Sequence, residues 1–217
     1  MATIATGIDV SEMNGFFDWN VVQPQIDFAI LRAGFGKNTE SQDDDCFEYN
    51  ASECQRLGIP FGVSLYSYAA SGEAAESEAL HVLRLLDNKR CSYPVYYDME
   101  DENTLGNCSN ALLAEIAERF CGKLERAGYV CGIFAGYDWF QTRLASVAFA
   151  CRSRWLAYDG RQSHDMYPVA MRQCGINERL QGVPAAFGFH ECYVDFPNIM
   201  ITGNHSVCEP GPCGKCS

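Results

Sequence analysis

The run Pro94-Val95-Tyr96-Tyr97-Asp98-Met99-Glu100-Asp101 begins as a β-rich segment and ends in a cluster of carboxylates. Successive side chains of a strand point to opposite faces, so Asp98 and Glu100 share one face. Their Cα atoms would lie roughly 6.5–7 Å apart in an extended chain. Glycoside hydrolysis uses two carboxyl groups at such a spacing, because one donates a proton to the leaving oxygen while the other stays ionised beside the developing cation. A bare D-x-E also fits a strand that runs into an acidic surface loop, so the rest of the chain has to decide.

Alternating strand and helix signals predict the framework that would position these acids. Helical stretches are expected at about 43–57, 72–87, 109–127 and 137–144, of which the clearest begins after Ser109, a suitable N-cap, and ends at Gly128. Alternating β and α elements with short links indicate a parallel sheet, and eight strands indicate a barrel. We therefore predict an α/β fold, an irregular TIM-like (β/α) barrel of eight strands with a reduced set of helices. The strand candidates are 4–10, 28–33, 61–68, 94–99, 130–135, 154–158, 169–173 and 191–196.

Four acidic residues fall at the ends of predicted strands. Active sites of β/α barrels collect at the carboxyl ends of the strands. Asp9 ends the first strand, Asp98 and Glu100 end the fourth, and Asp195 lies on the eighth. First and eighth strands are neighbours in a closed barrel, so all four acids are expected to face one another across a single mouth.

The composition excludes several classes of partner. The 217 residues carry 16 basic and 28 acidic side chains, a formal charge of −12. Nucleic-acid-binding proteins normally have a basic face, and the same negative charge opposes attraction to an anionic membrane. No run reaches the roughly 18 apolar residues of a membrane span. Partners are therefore expected to be neither nucleic acids nor membranes.

Seven segments, taken in order from about residue 5 to 200, carry a likeness to one known family. They are Gly7-Ile8-Asp9-Val10-Ser11, Ile30-Leu31-Arg32-Ala33-Gly34-Phe35-Gly36, Gly58-Ile59-Pro60-Phe61-Gly62-Val63, Tyr66-Ser67-Tyr68-Ala69, Pro94-Val95-Tyr96-Tyr97-Asp98-Met99-Glu100, Trp155-Leu156-Ala157 and Val194-Asp195. In these segments the sequence resembles glycoside hydrolase family 25, the lysozyme-like muramidases.

The resemblance implies an enzyme that cuts the β-1,4 bond between N-acetylmuramic acid and N-acetylglucosamine in bacterial peptidoglycan. It implies Glu100 as the general acid and Asp98 as the group that assists the substrate's N-acetyl group or stabilises the cation. Asp9 and Asp195 would be supporting carboxylates. No cofactor or metal is expected. The N-terminus lacks the features of a signal peptide, yet the protein is expected to act outside the cell or at the cell wall, as a monomer.

Aromatic residues near the predicted strand ends could stack on sugar rings. Tyr66, Tyr97 and Trp155 are the strongest candidates for contact with substrate. Barrel core is the competing interpretation, because aromatic side chains also fill cores. The full set of candidates is Phe35, Tyr66, Tyr68, Tyr97, Tyr137, Trp155 and Tyr158.

Other activities on cell walls find less support in the sequence. The four histidines, at positions 81, 164, 190 and 205, show no H-E-x-x-H pattern for a zinc amidase, and no G-x-S-x-G marks a serine hydrolase. A non-catalytic module that binds peptidoglycan or chitin-type sugars on the same barrel remains the alternative. Retention of four acids argues against it, because binding alone needs no proton donor.

Twelve cysteines leave the redox state open between a few disulfides and mostly free thiols. Residues 1–202 are expected to form the catalytic domain, and residues 203–217 a tail rich in Cys, Pro and Gly. In that tail His205, Cys208, Cys213 and Cys216 could hold a structural zinc, although loop thiols or disulfides are the favoured interpretation.

Overall fold

Eight strands form a closed barrel in the order of the sequence. The computed structural model describes residues 2–158, 160 and 169–202. The architecture confirms the predicted irregular TIM-like barrel of eight strands. The strands are β1 (Ala5–Val10), β2 (Phe28–Phe35), β3 (Phe61–Tyr66), β4 (Val95–Asp98), β5 (Cys131–Ala135), β6 (Ser153–Leu156), β7 (Met171–Arg179) and β8 (Ala186–Cys192).

The sheet departs from the predicted parallel pattern at its last strand. Successive pairs from β1 to β7 are parallel, whereas β8 is antiparallel to both β7 and β1. β7 is longer than predicted and turns through Gly182, which has a φ of 77°, into β8. The predicted eighth strand at 191–196 is therefore wrong in both position and direction. The carboxyl end of β8 lies beside the amino end of β1, since Cys192 pairs with Ala5.

The four predicted helical stretches correspond to four of the observed helices, α2 to α5. None of the helices in the described part of the chain is long and apolar enough to cross a membrane. The helices found there are α1 (Trp19–Val22), α2 (Phe47–Leu57), α3 (Gly72–Leu85), α4 (Asn110–Arg126), α5 (Tyr137–Thr142), α6 (Val147–Ala150) and α7 (Phe196–Thr202).

Helix α4 begins and ends where the sequence indicates. The Ser109 hydroxyl oxygen accepts the N–H of Leu112 at 3.2 Å and caps the first turn. Gly128, with a φ of 93°, follows the last turn, and its N–H donates to the carbonyl of Glu125. A left-handed backbone of this kind costs glycine little, so the helix stops there. The buried face of the helix packs on the outside of the barrel through Leu113, Ile116, Ala117, Phe120, Cys121 and Leu124.

Two apolar clusters lie on either side of the sheet. The larger one fills the space between the barrel and its helices. The smaller one fills the amino half of the barrel, where bulky rings require small neighbours: a Cβ on Gly132 would lie 2.4 Å from the ring of Tyr96. The carboxyl half is left to polar residues. The buried members of the inner cluster are Phe28, Ile30, Tyr93, Tyr96, Trp155, Ala170, Met171, Cys192 and Phe196.

The nine cysteines within the described residues are all free thiols, in agreement with the second of the two redox alternatives. Four of the five on strands and long helices are buried, as expected of a small apolar side chain. The tail at 203–217, with its candidate zinc ligands, lies outside the described residues, so the boundary at residue 202 stays a prediction.

Candidate active site

A cavity of about 130 Å³ opens at the carboxyl ends of the parallel strands. Its wall is made by inward-facing residues of the first six strands and by the start of the loop after β1. It contains two of the four predicted acids. The lining residues are Asp9, Val10, Ser11, Arg32, Ser64, Tyr66, Asp98, Phe134 and Trp155.

Asp98 is the last residue of β4 and points into this cavity. Its Oδ1 atom is buried and has no hydrogen-bond partner among the described residues. Burial raises the pKa of Asp98 well above its ordinary value, and the nearby charge of Glu100 raises it further, while the guanidinium of Arg32 opposes the rise. Opposing neighbours therefore act on the pKa of Asp98, and its carboxyl lines the space that a ligand would occupy.

Glu100 lies just beyond the strand, on the same side as Asp98. Between them, Met99 packs in the outer apolar cluster and continues the ladder by donating its N–H to the carbonyl of Phe134 at 3.0 Å. The predicted alternation thus extends past the formal end of β4. Burial raises the pKa of Glu100, although a hydrogen bond from the N–H of Gly136 lowers it in part. The two carboxyls predicted from the sequence therefore lie near each other, and burial raises the pKa of each.

Asp9 lies on β1, lines the cavity and is hydrogen-bonded to a residue of β8. Its Oδ1 lies 2.8 Å from Nε2 of His190, whose side chain is fully buried. The same oxygen lies against the backbone of Gly188, where a Cβ would be only 1.8 Å away. Glycine at position 188 therefore leaves the space that the Asp9 carboxylate occupies.

Arg32 supplies a positive charge to the cavity. Its guanidinium carbon lies 5.9 Å from the ring centre of Phe35 and 5.8 Å from that of Tyr66, within the range of cation–π contacts. The charge opposes the rise in the pKa of Asp98. The site therefore combines carboxyl groups with one cation rather than consisting of acids alone.

Asp195 does not join the other acids. It is exposed and lies beyond the carboxyl end of β8, which is the amino end of the parallel strands. Its Oδ1 accepts the N–H of Asn198 at 3.2 Å in the first turn of α7. The predicted position of Asp195 across the mouth from Asp98 is wrong, because β8 runs in the opposite direction to the one expected.

Three of the predicted aromatic residues form one group at the mouth. The ring centres of Tyr66 and Tyr68 lie 5.1 Å apart, and Phe35 meets Tyr68 edge-on at 6.1 Å. The Tyr66 hydroxyl donates to Asp101 at 3.3 Å, while Tyr68 is 45% exposed. A face for a sugar ring is therefore available here.

The other aromatic candidates occupy different positions. Tyr97 points away from the cavity, stacks on Phe120 at 3.7 Å between ring centres and donates its hydroxyl to Glu78, so its predicted contact with substrate is wrong. Trp155 is 2% exposed and forms part of the cavity floor. Tyr137 starts α5, half-buried against the outer cluster, and Tyr158 is exposed beyond β6.

Sequence reasoning missed Arg32, Ser64, Phe134 and His190. Arg32 offered a signal, because a lone charge inside the apolar run Ile30-Leu31-Arg32-Ala33 is seldom buried without a partner or a function. His190 could not be found because the eighth strand was placed too late in the chain. Among the described residues, no group of three or more His, Cys, Asp or Glu side chains is placed to hold a metal ion.

Comparison with known proteins gives a family and several similar folds. The sequence model described as Glycosyl hydrolases family 25 matches residues 8–177. No curated protein gives a significant match. The modular autolysin LytC from Streptococcus pneumoniae, solved with a synthetic peptidoglycan ligand, is 25% identical with a TM-score of 0.77; the match covers 87% of this chain and 46% of LytC.

Two further structures share the fold along almost their whole length. The bacterial lysozyme from Streptomyces coelicolor is 19% identical with a TM-score of 0.77, covering 93% of this chain and 98% of that chain. The catalytic domain of the endolysin ply40, from bacteriophage P40 of Listeria monocytogenes, is 18% identical with a TM-score of 0.75, covering 92% and 97%. By contrast, this chain spans less than half the length of LytC.

The family match and the site coincide in the sequence. The matched range, 8–177, contains Asp9, Asp98 and Glu100 and ends before β8. It covers well over half of the 217 residues. We conclude that this chain belongs to glycosyl hydrolases family 25.

Proposed function

We propose that this protein is a lysozyme, a muramidase that hydrolyses the β-1,4 bond between N-acetylmuramic acid and N-acetylglucosamine in bacterial peptidoglycan. The observation that carries the proposal is the pair Asp98 and Glu100, two carboxyls with raised pKa values beside a cavity at the carboxyl end of the barrel. Membership of the family supplies the reaction class, and the peptidoglycan ligand of LytC supports the substrate class.

Glu100 is the proposed general acid. A general acid must keep its proton near the working pH, and burial raises the pKa of Glu100 in the required direction. From the edge of the cavity it would donate that proton to the glycosidic oxygen as the C1–O bond breaks. It would then accept a proton from the water that attacks C1.

Asp98 is proposed to assist from the cavity floor. Its carboxylate, which lines the cavity, could accept the N–H of the acetamido group on the muramic acid, orienting the acetamido oxygen towards C1. Attack by that oxygen gives an oxazolinium intermediate, which water opens with net retention. Arg32 favours the ionised form of Asp98, which stabilises the positive charge of this intermediate.

The proposal extends to the surroundings of the enzyme. The substrate is the glycan strand of the bacterial wall, which places the activity outside the cell. Residues 1–202 would form the catalytic domain, acting as a monomer, and residues 203–217 a tail.

Loss of turbidity of bacterial cell walls tests the proposal through Glu100→Gln. We expect the folded variant to lose about 10²–10⁴-fold in rate, because the amide cannot donate the proton. Glu102→Gln is the matched control: it removes an acidic charge two residues further along the chain and leaves an oxygen to accept the Trp139 indole N–H. It should retain most of the activity.

The wild-type result separates catalysis from sugar binding. A module that only binds glycans would sediment with walls without clearing them. Wild-type protein that binds walls and leaves their turbidity unchanged would overturn the enzymatic proposal. A Glu100→Gln variant as active as Glu102→Gln would overturn the role of Glu100.

A further inference from the structure

Three side chains form a buried hydrogen-bonded chain that ends at Asp9. The indole Nε1 of Trp155 lies 3.3 Å from Nδ1 of His190, and Nε2 of His190 lies 2.8 Å from Oδ1 of Asp9. The imidazole is 0% exposed and meets the indole edge-on, with ring centres 4.8 Å apart. Of the three side chains, only those of Trp155 and Asp9 line the cavity.

The inventory of donors and acceptors fixes the form of the imidazole. An indole N–H can only donate, so Nδ1 of His190 must accept and carries no proton. The proton of the ring is then on Nε2, which donates to the Asp9 carboxylate. The indole N–H of Trp155 thus favours the tautomer of His190 that can donate a hydrogen bond to Asp9.

We propose that His190, kept as its neutral Nε2–H tautomer by Trp155, is a positioning residue that orients the Asp9 carboxylate in the active site. Its catalytic consequence rests on the proposed glycosidase function, whereas its tautomer does not. His190 touches no cavity space and therefore acts through Asp9.

A neutral imidazole also preserves the electrostatics of the cavity. The charge of Asp9 contributes to the raised pKa of Asp98, with burial and Glu100 as the larger causes. An imidazolium at position 190 would offset that charge, whereas a neutral donor orients the carboxylate and leaves its charge in place. The arrangement therefore orients Asp9 without weakening its effect on Asp98.

A second buried histidine provides a contrast within the same molecule. Nδ1 of His81 lies 3.0 Å from the carbonyl oxygen of Gly36, and its Nε2 lies 2.7 Å from Oδ1 of Asp43. Both nitrogens of His81 thus face oxygen acceptors, whereas Nδ1 of His190 faces an N–H donor. His81 is therefore an internal comparison for the pattern of partners around His190.

Nitrogen NMR of the histidine side chains in the full chain reads the tautomer directly. At neutral pH we expect His190 to give the pattern of a neutral ring protonated at Nε2. Replacing the donor, in Trp155→Phe, should change the Nδ1 resonance of His190. A wild-type His190 protonated at Nδ1, or at both nitrogens, would overturn the proposal even if the protein lyses walls.

Kinetics on a soluble glycan fragment tests the link to Asp9. His190→Gln keeps a donor for Asp9 and an acceptor for Trp155, so kcat should stay within about threefold of wild type. His190→Phe has neither, and kcat should fall about 10- to 100-fold with little change in KM, because Asp9 loses its fixed orientation. Tyr96→Phe, which alters another buried neighbour of the Trp155 ring without a polar link to Asp9, should leave kcat unchanged.

Equal kcat values for His190→Gln and His190→Phe would contradict a positioning role. A His190→Phe variant that fails to fold leaves the NMR result and His190→Gln to decide. If the wild-type protein cleaves no glycan, the proposed function fails, and the NMR arm still decides the tautomer.

Discussion

The Asp98 carboxyl makes the free energy of unfolding depend on pH. An acidic group whose pKa is raised on folding stabilises the protein in its protonated form. That contribution is present below the pKa of the unfolded chain and is lost as the pH rises through the raised pKa of the folded state. Burial first, and then Glu100, raise the pKa of Asp98. The ionised carboxyl therefore opposes folding at neutral and alkaline pH.

We therefore predict that Asp98→Asn separates stability from activity. The variant should unfold at a higher temperature than wild type at about pH 8, because an ionised carboxyl at this buried position opposes folding of the wild type. The difference should vanish near about pH 3, where the carboxyl is protonated in the unfolded chain as well. Lysis should fall as steeply as in Glu100→Gln. Thermal unfolding followed by circular dichroism across this pH range measures the effect. An Asp98→Asn variant that is less stable than wild type at about pH 8 would contradict the raised pKa of Asp98.

For single residues, the sequence predicts the features that depend on local backbone geometry. The common face of Asp98 and Glu100 follows from the alternation of a strand, which needs no knowledge of the rest of the fold. Arg32 could also have been found, from a charge within an apolar run. The outward direction of Tyr97 follows from the same alternation as the inward direction of Asp98, so that error was avoidable.

Among the secondary-structure elements, β8 differs most from its prediction. Its direction is decided by the six residues 180–185, which return the chain as a hairpin instead of a crossover. The segment of β8, Ala-Phe-Gly-Phe-His-Glu-Cys, is poor in β-branched residues and contains a glycine, so local propensity does not mark it as a strand. Pairing with β1 and β7 imposes the strand, and such long-range pairing is invisible in a local pattern.

The direction of β8 makes a testable statement about Asp195. We predict that Asp195→Asn keeps wall-lytic activity within about threefold, because the residue lies at the opposite end of the barrel from the cavity. Asparagine also caps a helix well, so stability should change little. Asp195→Ala should lose about 1 kcal/mol of stability through the missing cap on α7, again with activity retained.

Turbidity clearance and thermal unfolding of the two Asp195 variants, run beside Asp98→Asn, give the comparison. A loss of a hundredfold or so in Asp195→Asn would return this residue to the active site and contradict the antiparallel placement of β8.

For the whole molecule, composition and element order were enough to predict the class of fold. Eight strands that alternate with helices close into a barrel, and the count of strands survives even though one was misplaced. The pair Asp98 and Glu100 then indicates which end of the barrel holds the candidate active site. The partners of Asp9 could not be predicted, because they come from β8, about 180 residues away in the sequence.

Net charge is the other property of the whole molecule, and it predicts how the rate depends on salt. The formal charge is −12, so an anionic bacterial wall repels the protein. We predict that lysis of anionic walls becomes faster as ionic strength rises to about 0.15 M, where the Debye length shortens to about 8 Å. Initial clearance rates at constant pH measure this. A rate that falls steadily over the same range would indicate attraction through a local basic surface instead.

The chemical identity of the new chain ends shows which bond the protein cuts. Peptidoglycan digested by the protein is reduced with borohydride and analysed by mass spectrometry. We expect reduced N-acetylmuramic acid at the new ends, produced by wild type and absent with Glu100→Gln. Reduced N-acetylglucosamine would contradict the muramidase assignment, and new amino groups without reducing ends would contradict glycosidase action.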